Sequence, residues 1–507
     1  MRAPESVEQL SSWRDDWAGL RALVLGSGLT GFAAADTLAE LGAEVLVVSE
    51  SIDDTTAEIL SVIGVRMLVA PRENGAPSAM GEFDPELVVV SPGFAPSHPF
   101  VEWATQRDQP VWGDVELAWR LRDKVVNEVT GKPAEWVAIT GTNGKSTTVQ
   151  LTEAMLLAAG VRALACGNVG VPVLDAIRDP GGFDVLVVEL SSFQLHYSRS
   201  ISPYASVCLN VADDHLDWHG GSVAYRAAKG RVYENTRVAC LYNLDDDATR
   251  QLVEDADVVE GARAIGFGLG SPGPSDLGVV DGIACDRAWV ADRHNSALEI
   301  ATLDELDSYG LGTPHAVSNV LAATGLARSF GIPMESVVAA LRGFTTDHHR
   351  TERIGERDGI VWIDDSKATN PHAARAALRS FPSVVWVAGG LFKGADPDAL
   401  VAEIKTRLRG VVLIGADRQP LRAAIARHAP ELTVFEVDET DTEGVMPSAV
   451  RFAAELALSG DTVLLAPAAA SMDQFRDYAD RGRRFQAAVR QLWGVEADDD
   501  KPSAPSS

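Results

Sequence analysis

The sequence predicts an α/β protein of three successive units, each built on a mostly parallel sheet. Three observations carry this. The chain has 507 residues, too many for one core when domains run to roughly 100–200 residues. Short, almost wholly apolar runs alternate with longer amphipathic stretches in three series, the pattern of βαβ units whose strands are covered by helices on both faces. Glycine-rich turns follow the first strand of two of these series, where the chain must pass from strand to helix.

The first series contains RALVLG, a helix through Thr37 to Leu41, AEVLVVSE and ELVVVSPG; it is assigned to residues 1–124. The second starts at EWVAITG, passes a helix from about Lys145 to Ala159 and continues in FDVLVVELSS and ASVCLNV, giving a unit over 125–347. Between Ala262 and Leu311, GFGLGSPGPSDLG and alternating apolar residues read as a loop with a small antiparallel part rather than another βαβ unit. The third series, IVWIDDS, SVVWVAGG, GVVLIG and DTVLLAP, occupies 348–496. The junctions fall in VVNEVTGKPAEW and around Thr345 to Arg350. The end, ADDDKPSAPSS over 497–507, reads as a disordered tail.

Hydrophobic residues make up 46% and charged residues 23%, which is globular usage and excludes collagen-like and low-complexity classes. The formal charge of −28 repels phosphate backbones and anionic lipid over most of the surface, so neither nucleic acid nor membrane is expected as a partner. Cys166, Cys208, Cys240 and Cys285 stand far apart without a CxxC pair, which fits a reducing compartment and neither a disulfide framework nor a zinc site. The start lacks an apolar signal core, and no run of about 18 apolar residues occurs. A soluble, cytoplasmic monomer is expected.

GTNGKSTT, Gly141 to Thr148, follows the strand WVAIT and precedes a helix. The backbone of Gly141, Thr142, Asn143 and Gly144 would wrap a polyphosphate, Lys145 would reach its outer phosphates, and Ser146 or Thr147 would approach magnesium. The spacing differs from GxxxxGK[ST], since two residues rather than four separate the glycines. An earlier GSGLTG, Gly26 to Gly31, reads equally as a nucleotide site at a helix N-terminus or as a tight βα turn. The acidic residue expected to follow at the second strand end is represented by Ser49 or Glu50.

Carboxylates at strand ends come next. Glu189 ends FDVLVVE, and Asp213, Asp214, His215 and Asp217 follow SVCLN. They read either as magnesium ligands, all but His215 through oxygen, or as a solvated acidic turn. Lys229, in YRAAKGRVYEN, reads on its own as an exposed lysine. His349, Arg350, Lys367 in DDSKATN, Lys393 in GGLFKG and the string SMDQFRDYADRG lie near strand ends or junctions of the third series, where cations would neutralise phosphates and carboxylates.

In this order the strings resemble the Mur ligases, the ATP-dependent amide ligases of bacterial cell-wall synthesis. GTNGKST is shared with the folylpolyglutamate synthetases. ELSSFQL (Glu189 to Leu195), NVADDHLDWH (Asn210 to His219), YRAAKGRVYEN, DDSKATN and SMDQF are more selective, and resemble the members that join D-glutamate to UDP-N-acetylmuramoyl-L-alanine. The resemblance implies a Rossmann-like UDP-sugar domain, a central P-loop-type ATPase domain, and a Rossmann-like C-terminal domain that closes over ATP and binds the amino acid. It places Gly28, Leu29, Thr30, Ser91, Gly93 and Asn168 at the UDP-sugar. It assigns Lys145, Ser146, Thr147, Arg350, Asp365 and Lys367 to ATP, with Asp365 on the ribose, and Thr369, Lys393, Ser471 and Tyr478 to D-glutamate. Magnesium ligands implied are Ser146, Thr147, Glu189, His215 and Lys229, the last carbamylated by CO2; Lys145, Glu189, His215 and Lys229 form the implied catalytic set. Three departures stand out: the acidic residue that commonly ends the second strand on the uracil side is represented by Ser49 or Glu50, HAVSN carries Ala316 where the family's HNxxN has asparagine, leaving His315 and Asn319, and Tyr478 stands where phenylalanine is common.

The implied reaction activates a carboxylate as an acyl phosphate, which the D-glutamate amine then attacks. His215 or a carboxylate near Glu189 would accept the amine's proton. The alternatives are another amide ligase of this superfamily, a nicotinamide-dependent oxidoreductase using GSGLTG, and an ATP-binding module without chemistry.

Overall fold

The computed structural model describes residues 4–127, 130–345, 348–439 and 441–494; the tail expected to be disordered lies outside them. Three sheets are present. Strands β1 (Arg21–Leu25), β2 (Glu44–Ser49), β3 (Arg66–Val69), β4 (Leu87–Val90) and β5 (Val111–Gly113) form an all-parallel sheet in the order β3-β2-β1-β4-β5. The order reverses beside β1, so the crevice at a doubly wound sheet's switch point opens over GSGLTG.

The second sheet has nine strands: β6 (Glu135–Thr140), β7 (Ala163–Gly167), β8 (Val185–Glu189), β9 (Ala205–Cys208), β10 (Ala239–Asn243), β11 (Arg263–Phe267), β12 (Asp276–Val280), β13 (Ile283–Asp286) and β14 (Leu298–Thr302). Their order is β14-β13-β12-β11-β10-β9-β6-β8-β7. Strand β6, which leads into GTNGKSTT, thus lies between β9 and β8. The segment expected to be loop and antiparallel strands begins instead with β11, parallel to β10 over five residue pairs, and antiparallel pairing starts only at β12 and β13. Burial of Ile265, Gly266 and Phe267 explains it: this edge of the sheet is still covered by the helix Pro314–Ser329, whose Val320, Leu321 and Ala323 are fully buried.

The third sheet, β15 (Glu352–Arg357), β16 (Ile360–Asp364), β17 (Val384–Ala388), β18 (Leu408–Leu413), β19 (Thr433–Glu436) and β20 (Thr462–Leu465), runs β15-β16-β20-β17-β18-β19. All its pairings are parallel except β15 with β16. The apolar run that marks the other strands is missing from ERIGER, so this hairpin is invisible to the apolar pattern. Among the described residues, no helix is long and apolar enough to cross a membrane, and all four cysteines are free and buried.

By internal packing the described residues form two compact units, one within 4–211 and 218–345, the other within 212–217 and 348–494. The first contains both of the first two sheets. They are tied by the segment after Glu189, a short helix Ser192–His196 closed by a capping box between Ser191 and Gln194. Gln194 Nε2 donates to Asp114 Oδ2 at 3.1 Å, Tyr197 Oη donates to the Phe94 carbonyl at 3.0 Å, and Glu116 accepts from the amides of Arg199 and Ser200. Asp114 opens the helix Asp114–Leu121 and is buried, with Oδ1 lacking a hydrogen-bond partner among the described residues.

Burial pushes the Asp114 carboxyl up to about 6, opposed by Gln194 and the helix N-terminal amides. A pKa raised on folding contributes stability that is complete below the unfolded value near 4 and is lost as pH rises through about 6. Asp114→Asn removes this loss and keeps an acceptor for Gln194. Between pH 4.5 and 7.5, denaturant unfolding should move in the variant's favour by about 2 kcal/mol; an identical shift in both proteins contradicts the assignment.

Candidate functional site

The loop Gly141–Gly144 leaves β6 and starts the helix Lys145–Ala158. Gly144 is the N-cap residue with φ 86°, and no side chain caps this terminus. Left-handed backbone at that point turns the first-turn amides outward, which is what a polyphosphate requires. A Cβ at 144 would lie 2.4 Å from Asn319 Oδ1, so the asparagine that survives in HAVSN occupies the space a side chain would need. Lys145 Nζ folds back on the carbonyls of Gly141 and Thr142 at 2.9 and 3.0 Å. Ser146 and Thr147 are buried in the first turn.

Asn210, the first residue of NVADDHLDWH, holds this loop, a role that its place in the string does not announce. Its Oδ1 accepts from the Asn143 amide at 2.8 Å, its Nδ2 donates to the Asn143 carbonyl at 3.0 Å, and its own carbonyl accepts from the Thr142 amide at 2.9 Å. A side-chain amide pairing with a main-chain amide in both directions replaces the strand partner that the loop has left. The available signal was an asparagine just past the end of the strand next to β6.

Glu189 ends β8, is buried, and accepts from Asn168 Nδ2 at 3.1 Å. This bond joins a residue expected at the UDP-sugar to one expected at magnesium. Lys229 departs furthest from its isolated reading. It lies in the helix Ser222–Gly230 and is 1% exposed rather than solvated. Its Nζ is 4.9 Å from the centroid of the Tyr225 ring, whose hydroxyl is 2.9 Å from Thr142 Oγ1. Beneath the loop, burial pushes the Cys208 thiol up to about 12, while the charges of Lys229 and Lys145 pull it down. Glycine loop and buried lysine therefore belong to one neighbourhood, and Glu189 pairs in register with Ile139 of the strand that leads into the loop.

In the first sheet, Gly28 caps the helix Leu29–Glu40, Leu29 is 64% exposed and Thr30 half-buried. A Cβ on Gly31 would lie 2.1 Å from the Gly26 carbonyl oxygen and 2.8 Å from Ser91 Oγ, so this turn needs glycine for close packing. Ser91 Oγ is buried with no hydrogen-bond partner among the described residues, and Gly93 is exposed. At the end of β2, Ser49 is buried and its Oγ is 3.1 Å from Ser27 Oγ, whereas Glu50 is exposed and pairs with His98 at 3.2 Å.

The remaining candidates lie in the C-terminal unit. His215, with φ 52°, belongs to Ala212–Asp217, which packs with that unit, where Asn370 Nδ2 donates to Asp214 Oδ2 at 3.2 Å. Arg350 is flanked by two left-handed residues, His349 and Thr351. Asp365 accepts from the Thr351 amide at 3.0 Å; burial pushes its carboxyl up to about 6, countered by that bond and by the Arg350 charge. Lys367 Nζ is 5.2 Å from the Tyr478 ring centroid, and the Lys367 amide donates to the His349 carbonyl. Leu391 and Ala470 exchange two main-chain hydrogen bonds of 2.9 Å, drawing the loop that carries Lys393 to the one that carries Ser471. Thr369 is half-buried and follows Ala368, whose carbonyl accepts from Ala468 at 3.0 Å. Nearby, the ligand atoms of His349, Glu352 and Asp364 lie within 4.8 Å of one another, but Gln486 Nε2 donates to both carboxylates and His349 Nδ1 is 2.6 Å from Asp364 Oδ2, so their polar atoms are engaged with each other.

A family profile described as the Mur ligase middle domain matches residues 139–327, and one described as the Mur ligase glutamate ligase domain matches 349–469. Among similar proteins, the UDP-N-acetylmuramoylalanine--D-glutamate ligase of Leifsonia xyli subsp. xyli is 60% identical over 98% of this chain and 97% of its own length. The ligase of the same description from Streptomyces avermitilis is 51% identical over 94% of this chain and 99% of its own. Among solved structures, the UDP-N-acetylmuramate-alanine ligase of Thermotoga maritima matches with a TM-score of 0.53 at 19% identity, over 93% of this chain and 99% of that one. A MurF ligase of the same organism in complex with ADP matches with 0.53 at 17% identity, over 94% and 96%; likeness at these identities bears on the fold. With relatives this similar along nearly the whole chain, and two profile matches covering the second and third sheets, the chain belongs to the Mur ligase family.

Proposed function

We propose that the chain joins D-glutamate to UDP-N-acetylmuramoyl-L-alanine with ATP, through an acyl phosphate, in the synthesis of a peptidoglycan precursor. The observation that carries this reading is the 60% identity, over 98% of the chain, to a relative described as a UDP-N-acetylmuramoylalanine--D-glutamate ligase. In the same reading the first sheet serves the UDP-sugar, the second ATP, and the third the amino acid.

A carboxylate resists attack at neutral pH because its charge repels a nucleophile. Transfer of the terminal phosphoryl group of ATP to one of its oxygens supplies a leaving group; the amine then bonds to the carbonyl carbon and phosphate departs. This chain's part is positioning and charge compensation. The amides at the start of Lys145–Ala158 and the Lys145 ammonium would meet the phosphates, and the uncapped helix terminus behind Gly144 supports an anion site there. Arg350, Asp365 and Lys367 are assigned to the nucleotide. Thr369, Lys393, Ser471 and Tyr478 are assigned to D-glutamate, and Gly28, Leu29, Thr30, Ser91, Gly93 and Asn168 to the UDP-sugar.

Oxygen donors suit magnesium, and buried Ser146, Thr147 and Glu189 supply them. Magnesium bound there would offset charge on the transferred phosphoryl group. Lys229 is the exception in this donor set, since a buried ammonium repels a metal. Reaction with CO2 resolves the conflict: the ammonium loses one proton to become a free amine, its nitrogen bonds to the carbon of CO2 with loss of a second, and the resulting carbamate anion presents two oxygens. His215, or a carboxylate near Glu189, is assigned to accept the proton of the incoming amine.

Phosphate release from ATP in the presence of UDP-N-acetylmuramoyl-L-alanine should depend on D-glutamate, and L-alanine, diaminopimelate or a folate should not replace it; release independent of D-glutamate refutes the reading. Lys229→Ala should lower turnover by about a hundredfold or more, with partial recovery in millimolar short carboxylates. Full activity in the alanine variant without additive excludes the carbamate.

A further inference from the structure

Arg481 is wholly buried in the first turns of the helix Tyr478–Leu492, while the neighbouring Arg476, Arg483 and Arg484 reach solvent and pair with carboxylates. Its hydrogen bonds go elsewhere. Nε donates to Ser366 Oγ at 3.0 Å, one terminal nitrogen donates to the Ser366 carbonyl at 2.8 Å, and the other to the Ala469 carbonyl at 3.1 Å. Ser366 Oγ in turn donates to the Tyr478 carbonyl at 2.8 Å.

These acceptors sit on three separate stretches. Ser366 lies between Asp365 and Lys367, Ala469 is two residues before Ser471, and Tyr478 begins the helix itself. Loops that leave a sheet have unpaired carbonyls, and one planar guanidinium satisfies two of them and a hydroxyl with fixed directions. Burial pulls the group's pKa down to about 9, against the charges of Asp473 and Asp364, so it stays a cation at neutral pH. An apolar residue of similar volume would fill the space but would leave the three stretches without a common anchor.

We infer that Arg481 is a positioning residue that sets the Asp365–Lys367 turn, the Ala469–Ser471 stretch and Tyr478 in one arrangement, so that the nucleotide and amino-acid contacts of the C-terminal unit are ordered together. This rests on the assignment of those contacts under the proposed function. It predicts that loosening the anchor weakens both ligands at once and leaves the UDP-sugar, which is assigned to the other unit, unaffected.

Arg481→Lys keeps the charge and loses the fork; Ser366→Ala removes the hydroxyl that links Arg481 to Tyr478 and is the milder change. In the full-length enzyme, KM for ATP and for D-glutamate should both rise about tenfold or more in Arg481→Lys and less in Ser366→Ala. KM for UDP-N-acetylmuramoyl-L-alanine should hold, and the unfolding midpoint of Ser366→Ala should fall less than that of Arg481→Lys. Equilibrium binding of ATP to the parent and to Ser366→Ala needs no ligation, so a parent without D-glutamate-dependent phosphate release would refute the functional reading while this binding still tests the anchor. Unchanged ATP binding in Ser366→Ala, or a rise of all three KM values by the same factor, would overturn the inference.

Discussion

The turn from β6 into the helix Lys145–Ala158 is the constraint on which the nucleotide side of the molecule depends. A polyphosphate is bound by main-chain amides only if the chain reverses without a side chain in the way, and Gly144 with φ 86° meets that condition. The cost is a loop that has left its strand partners. Asn210 supplies the missing pairing from the neighbouring strand end, and Asn319 fills the volume that glycine leaves. Neither residue would need to touch a nucleotide to decide whether one binds.

Electrostatics explains the second feature, the placement of cations in an acidic protein. The net charge is −28, yet residues 348–507 carry 20 basic against 24 acidic residues. Arginines and lysines are thus concentrated where anionic ligands are assigned. In the first unit the two lysines nearest the loop are treated in opposite ways. Lys145 rests on loop carbonyls that a phosphate would replace as partners, whereas Lys229 is sealed behind Tyr225. Burying an ammonium in that position has a desolvation cost, which the carbamate reading turns into a reason for the burial.

Much of this was legible before the structure. The three parallel sheets follow from almost wholly apolar strands, and Glu189 at the end of β8 follows from the run FDVLVVE. What the pattern could not show depended on tertiary contacts. ERIGER lacks an apolar run, so β15 carries no strand signal, and β11 runs directly into GFGLGSPGPSDLG, whose glycines and prolines mask its parallel pairing with β10. Lys229 read as exposed because helical periodicity places a lysine on a face without saying what covers that face. Asn210 and Arg481 act through hydrogen bonds to main-chain groups of distant segments, and Asp114 through one from the Gln194 side chain, and none of these leaves a spacing in the sequence. The family strings supplied assignments for the site residues, and the geometry added which side chains hold those residues in place.

The central claim is that the phosphate loop works through the left-handed turn at Gly144. Equilibrium binding of ATP to Gly144→Ala tests it directly, with binding of the UDP-sugar substrate as the internal control. The added methyl needs a backbone conformation that alanine disfavours by about 1 kcal/mol or more and meets Asn319 at 2.4 Å, so ATP affinity should fall by about tenfold or more while the UDP-sugar affinity is retained. Undiminished ATP affinity in a folded Gly144→Ala variant would contradict the account.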